Sequence, residues 1–153
     1  MPKLYMLIGI PASGKSTWVY NQEWAKGCTL VSTDRYVELY ARWCGKTYTE
    51  VFEEYMPKAV ELMTQEILHA RSINADIIWD QTSTTIASRA KKFRMLSDYY
   101  TIGVVFRIPE REELDRRLSS RPGKIVPPDV VDNMINGWEE PTIEEGFNEI
   151  WRI

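Results

Sequence analysis

The stretch Gly9-Ile10-Pro11-Ala12-Ser13-Gly14-Lys15-Ser16-Thr17 limits what this chain can fold into more than any other. It fits the pattern G-x-x-x-x-G-K-[ST], and the spacing has a physical reason. Glycines let a backbone curl until successive N–H groups point inward at an anion. A helix that begins at such a loop adds its own unpaired N–H groups and partial positive charge. Gly9, Ala12, Ser13 and Gly14 then form a cradle for phosphates. Lys15 is expected to reach the β- and γ-phosphates of ATP, and the Ser16 hydroxyl to hold Mg²⁺. Thr17 is expected to donate to the α-phosphate. The competing reading is a Gly-rich turn before an ordinary helix, with Thr17 a first-turn residue. The setting supports the first reading, because Lys3 to Ile8 is a short apolar run suited to a buried strand and Ser16 to Ala25 has helix-compatible spacing.

The same alternation continues along the chain. Gly27 is the expected C′ residue of the first helix, and Cys28 to Ser32 reads as a second strand ending in Thr33-Asp34-Arg35-Tyr36. Asp34 to Trp43 reads as a helix or turn region, closed by Gly45. Apolar residues recur at intervals of three or four from Thr49 to Ser72, which predicts a long helix with a kink or break at Pro57. Asp76 to Asp80 and Thr101 to Ile108 read as further strands, and Ile86 to Tyr99 and Glu110 to Ser120 as helices. Arg121 to Pro128 reads as a mobile loop, Asp129 to Trp138 as a short helix, and Phe147 to Ile153 as a terminal edge strand. Alternating strands and helices argue for an α/β fold with a mainly parallel sheet between two helical layers. Ligands of such sheets bind at the carboxyl ends of the strands.

At 153 residues the chain has room for one domain and one sizeable core. The formal net charge of −3 advertises no global attraction to nucleic acid. The charge is uneven, however. Arg89 to Lys124 holds ten Lys/Arg against five Asp/Glu, and Ile125 onward holds one Arg against seven acids. A basic face over one site is compatible with that, as is a solvated helical surface. Cys28 and Cys44 make neither a disulfide framework nor a zinc pattern, and Cys28 is expected to be buried. The single histidine, His69, is expected on a helix surface, so His-based catalysis is not expected. The six tryptophans and eight tyrosines read mostly as core or rim packing. Neither a signal peptide nor a membrane span is apparent, and a cytoplasmic protein is expected.

Four stretches together resemble the kinase domain of bacteriophage-type polynucleotide 5′-kinases, within the wider group of small P-loop kinases that includes zeta-toxin-like proteins and AAA-type ATP-binding domains. They are Gly9 to Trp18, Thr33-Asp34-Arg35-Tyr36, Ile77 to Ser83, and Ser119 to Pro127. The resemblance spans nearly the whole chain. It implies a P-loop NTPase fold of adenylate-kinase-like type, one domain over 1–153, and a short lid at about 111–128. It implies an ATP- and Mg²⁺-dependent kinase whose acceptor is the 5′-OH end of a nucleic acid. The sequence departs from the polynucleotide kinases at Val37, where they carry an arginine that contacts the acceptor. Their Asp-Thr-Asn turn is also altered, to Asp80-Gln81-Thr82-Ser83. These departures keep a hydroxymethylated base in DNA, a nucleoside or a small metabolite open as acceptors. A non-catalytic nucleotide-binding module and a toxin kinase acting on a sugar nucleotide are the remaining alternatives.

On that resemblance Asp34 accepts the proton of the attacking hydroxyl; its structural alternative is an N-cap. Arg121 swings in with the lid to stabilise charge on the transferred phosphoryl group, helped by Arg117 one turn earlier. A solvated cation is the alternative for both. Asp80 holds Mg²⁺ through water, orients acceptor-side groups, or caps the turn containing Thr82. Arg35 is a candidate to replace the arginine missing at Val37. Arg89 is a candidate for a phosphate contact, with a surface position as its alternative.

Overall fold

The computed structural model describes residues 1–153. Its centre is an all-parallel sheet of five strands: β1 (Lys3–Ile8), β2 (Thr29–Val31), β3 (Ile77–Trp79), β4 (Tyr100–Val105) and β5 (Glu149–Arg152), in the order β2-β3-β1-β4-β5. Parallel strands need crossovers, and helices supply them: α1 (Lys15–Tyr20), α2 (Thr33–Cys44), α3 (Tyr48–Ser72), α4 (Ile86–Met95), α5 (Arg111–Ser119) and α6 (Pro128–Asn136). The strand that feeds the Gly-rich loop lies in the middle, and its residues Leu4 to Ile8 are buried. Side chains alternate across the sheet. Leu4, Met6 and Ile8 join one apolar cluster with Ile77 and Trp79, while Tyr5 and Leu7 join another with Ile78, Ile102 and Val104. Burial on both faces explains why these strands read as continuous apolar runs.

Several boundaries differ from the sequence reading. The first helix stops at Tyr20, and Glu23–Gly27 forms a separate 3-10 turn. Trp24 in that turn packs against Tyr5, Trp18 and Trp151, an aromatic contact that no local spacing encodes. Gly27 is therefore no helix C′ residue, and Cys28 is half-buried rather than core. Gly45 does close α2, with φ of 66°. The long helix runs unbroken through Pro57. Its entry is set by Thr47, whose side chain accepts from the Glu50 N–H while Glu50 accepts from the Thr47 N–H. The strand at the C-terminal end lies at the sheet edge, paired with β4. His69 is exposed. Trp43 departs from the packing expected of the tryptophans, with 85% of its surface exposed.

Lys92 is buried without a carboxylate partner. Its ammonium donates to the Ser88 carbonyl at 3.4 Å and lies 5.1 Å from the centre of the Trp79 ring. Burial, then Lys91 and Arg89, pull its pKa from 10.5 down to about 8. The folded state thus disfavours the charged form. Below about pH 8 that penalty is complete; between about 8 and 10.5 stability rises with pH, because the unfolded chain holds the extra proton. Replacing Lys92 by Met is expected to stabilise the protein at pH 7 by up to about 3 kcal/mol. Urea titrations of both proteins at pH 7 and pH 10 check this. The gain shrinks at the higher pH; an equal gain at both removes the ionic explanation.

Candidate active site

The carboxyl ends of β1, β2 and β3 open into a cavity of about 1400 Å³. That is larger than pockets typical of one small ligand and has room for two substrates side by side. The loop after β1 forms one wall. Its first glycine meets a close approach: a Cβ on Gly9 would lie 2.5 Å from the Ser13 Oγ. The Ser13 Oγ is buried and has no hydrogen-bond partner. The N–H groups of Gly14, Lys15, Ser16 and Thr17 have no backbone acceptor, and all four residues line the cavity. This is a ring of unsatisfied donors aimed at one space, and the chemistry it fits is a polyphosphate.

Lys15 lies within this loop, its ammonium donating to the carbonyls of Gly9 and Ile10, both at 2.9 Å. Burial lowers its pKa to about 8, with Asp80 pulling the other way. The Asp80 side chain makes no hydrogen bond, and burial raises its carboxyl, opposed chiefly by Lys15. The Ser16 hydroxyl is exposed toward the same cavity. No cluster of three or more acidic, His or Cys side chains able to hold a metal exists in the chain. A Mg²⁺ ion here would rest on Ser16, on nucleotide phosphates and on Asp80 through water, the sparse protein ligation that Mg²⁺ accepts.

The helix that follows β2 supplies Asp34. It stands in the first turn of α2, whose N-cap is Ser32, so the capping alternative for Asp34 is not realised. Its carboxylate is half exposed, at 49%, and accepts from the Tyr48 hydroxyl at 2.5 Å and from the Lys124 ammonium at 3.1 Å. Burial and the bond to Asp34 push the Tyr48 phenol far above its usual range. Lys124 also bonds Glu38 at 3.2 Å. Tyr48, Glu38 and Lys124 are site residues that sequence reasoning left without a role; only Lys124 had a signal, its place in the lid stretch.

The remaining candidates divide. Arg117 lines the cavity, and donates to the Ala12 carbonyl at 3.1 Å and to Glu113 at 2.8 Å, docking α5 on the phosphate loop. The Arg121 side chain lines the cavity with no hydrogen bond or ion pair, a free cation whose charge acts on Lys15 and Asp80. Thr82 lines it too, and its carbonyl accepts from the Gly9 N–H at 3.0 Å, tying the loop after β3 to the loop after β1. Arg35 borders the cavity, but its guanidinium forks onto Glu66 at 3.0 and 2.7 Å.

Arg89 is a correction. It is 0% exposed and touches no part of the cavity. It donates to Glu145 through Nε and Nη2 at 2.8 and 3.1 Å, to the Ser83 carbonyl at 3.0 Å and to the Glu139 carbonyl at 2.9 Å. Four of its five N–H donors are taken and the side chain is fully buried away from the cavity, so neither a phosphate contact nor a surface position is open to it.

The model of an AAA domain family, AAA_33, matches residues 4–141. No curated protein sequence matches the chain significantly. Among solved structures, a protein of Chloroflexus aurantiacus assigned as a kinase superposes with a TM-score of 0.75 at 17% identity, over 99% of this chain and 87% of that one. A chain of the Pnkp1/Rnl/Hen1 RNA repair complex gives 0.65 at 21% identity, over 89% of this chain but 43% of the other. Shikimate kinase from Acinetobacter baumannii gives 0.56 at 18% identity, over 98% and 82%. At such identities these likenesses speak for the fold, which is that of the P-loop kinases. No helix is long and apolar enough to cross a membrane.

Proposed function

This chain belongs to AAA_33, a family of P-loop kinases, and on that premise we propose that it moves the γ-phosphoryl group of ATP to an alcohol oxygen, with Asp34 as the base. The observation that carries the reading is the pairing across one cavity. Unpaired loop amides and Lys15 stand on one side, and a half-exposed carboxylate stands on the other. A module that only holds a nucleotide has no need of the second. Phosphoryl transfer asks chiefly for positioning and charge neutralisation. The loop amides of Gly14 to Thr17 and the Lys15 ammonium hold the triphosphate tail. Mg²⁺ held at Ser16 supplies charge neutralisation to the phosphates when bound. Asp34 takes the acceptor proton as the new O–P bond forms and the bond from the γ-phosphorus to the bridging oxygen breaks, releasing ADP. Arg121 balances charge on the moving group, and Arg117 keeps α5 against the loop that grips the tail.

For the acceptor, the order of four matching stretches supports a 5′-hydroxyl end of nucleic acid, as in the polynucleotide kinases the sequence resembles. One observation favours a second reading, a compact alcohol such as a nucleoside or small metabolite. Val37 is fully buried between α2 and α3, and Arg35 is spent on Glu66, so the acceptor side lacks the free arginine of those kinases. A panel of 5′-OH DNA, 5′-OH RNA, hydroxymethylated-base DNA and free nucleosides, offered γ-labelled ATP, separates the two. Label on 5′ ends alone is the expected result of the first reading, and label on nucleosides alone that of the second. Loss of all transfer in Lys15→Met ties the label to this site; label that survives that change sinks the proposal.

A further inference from the structure

The segment that follows α5 does not hang free over the cavity. It is lashed to the start of α3. The Thr49 N–H donates to the Gly123 carbonyl at 3.1 Å, and the Ile125 N–H donates to the Thr49 Oγ1 at 2.8 Å. Gly123 sits at φ of 68°, and a Cβ there would strike Thr47 at 2.9 Å. Only glycine combines that conformation with that approach. The consequence falls on the next residue. Lys124 is carried inward until 17% of its side chain remains exposed, in contrast with 73% for Arg116 on α5. Its ammonium lies 4.4 Å from the centre of the Tyr48 ring, 3.1 Å from Asp34 Oδ2 and 3.2 Å from Glu38. The Tyr48 hydroxyl holds the other oxygen, Asp34 Oδ1.

We infer that Lys124 is a positioning residue, delivered by the lid, that holds the Asp34 carboxylate aimed at the acceptor. The inference rests on the reading of Asp34 as the base. Each carboxylate oxygen offers two lone-pair directions. Tyr48 and Lys124 take one on each, which fixes the plane of the carboxylate and leaves a direction open for the acceptor O–H. The lid thus acts on the acceptor side of the reaction as well as on the phosphates. A lid resting on α3 supplies Lys124, and one lifted from it withdraws the cation, so the base is complete only with the lid in place.

The groups around Asp34 come from every element of the site. Glu38 lies on α2 and Tyr48 on α3. Lys124 and Arg121 belong to the lid, Lys15 to the phosphate loop, and Asp80 to the loop after β3. Removing Lys124 takes away the one cation bonded to the carboxylate and leaves Tyr48 alone to set its plane.

The test uses the full chain, γ-labelled ATP and whichever panel acceptor takes label; with none, release of phosphate to water is read. Lys124→Met is expected to lower kcat about 10- to 100-fold and leave KM for ATP within about twofold. Lys124→Arg is expected to recover most of the loss, and Tyr48→Phe to lower kcat about 10-fold. An unchanged or raised kcat in Lys124→Met overturns the inference, the raised value marking Lys124 as a latch that blocks the base. So does a loss that falls equally on KM for ATP or that Lys124→Arg does not recover, which marks a packing role. Wild-type transfer in Asp34→Asn overturns the base itself. An inactive Asp34→Asn beside a fully active Lys124→Met overturns only the role of Lys124.

Discussion

The Asp34→Asn variant is expected to transfer phosphate about 10³-fold more slowly than the wild type, with ATP affinity changed less than about twofold. The amide keeps the shape of the carboxylate, and its oxygen still accepts from Tyr48, so the neighbourhood of α2 and α3 stays in place. What it loses is the capacity to take a proton while the new O–P bond forms. General-base assistance is worth roughly 10²- to 10⁴-fold, and little else in the cavity can replace it. Glu38, one turn further along α2, is bonded to Lys124, and the Asp80 carboxyl is raised by burial and set against Lys15 on the donor side. Single-turnover label transfer with saturating ATP and acceptor measures the chemical step, and a fluorescent ATP analogue measures binding. A variant that binds normally and transfers normally removes the base from the mechanism. A variant that also loses nucleotide binding shows that the residue supports the site rather than the reaction.

How much of this could be read from the chain depends on how local the cause is. The strand Lys3–Ile8 and the end of α2 at Gly45 were legible because the apolar run and the glycine act where they stand. The phosphate loop was legible for the same reason, since amides, Lys15 and Ser16 lie within a few residues of one another. The early stop of α1 was not, because the aromatic contacts of Trp24 draw on Tyr5 and Trp151 at opposite ends of the chain. Tyr48, Glu38 and Lys124 follow the same rule. Lys124 reaches Asp34 across 90 positions, and the contact exists because the lid lies on α3. Arg35 was a candidate to stand in for the missing arginine, and its pairing with Glu66, 31 residues away, is another partner that local spacing does not name. Periodicity on α4 could place Arg89 but could not name its partner, which lies 56 residues further on.

That buried pair carries the largest stability effect expected in the molecule. Arg89→Met is expected to destabilise the fold by about 3–5 kcal/mol, the usual cost of leaving one member of a buried ion pair alone. The loss has several parts. Glu145, 9% exposed in its side chain, would keep its charge with only the Thr142 N–H as a donor. The carbonyls of Ser83 and Glu139 would lose their donors as well. Ser83 already stands at φ of 48°, a conformation that an unbranched polar residue tolerates only when its surroundings hold it. For a domain of this length the melting temperature should fall by roughly 10 °C. The damage should also reach the site, because the loop after β3 that Arg89 braces also holds the Gly9 N–H through Thr82. Weaker ATP binding is therefore expected before global unfolding, a readout that a remote surface residue would not move. Arg89→Met combined with Glu145→Leu should regain much of the stability by removing the stranded charge. If the single variant melts within about 2 °C of the wild type, the guanidinium does not brace the fold as its four hydrogen bonds imply.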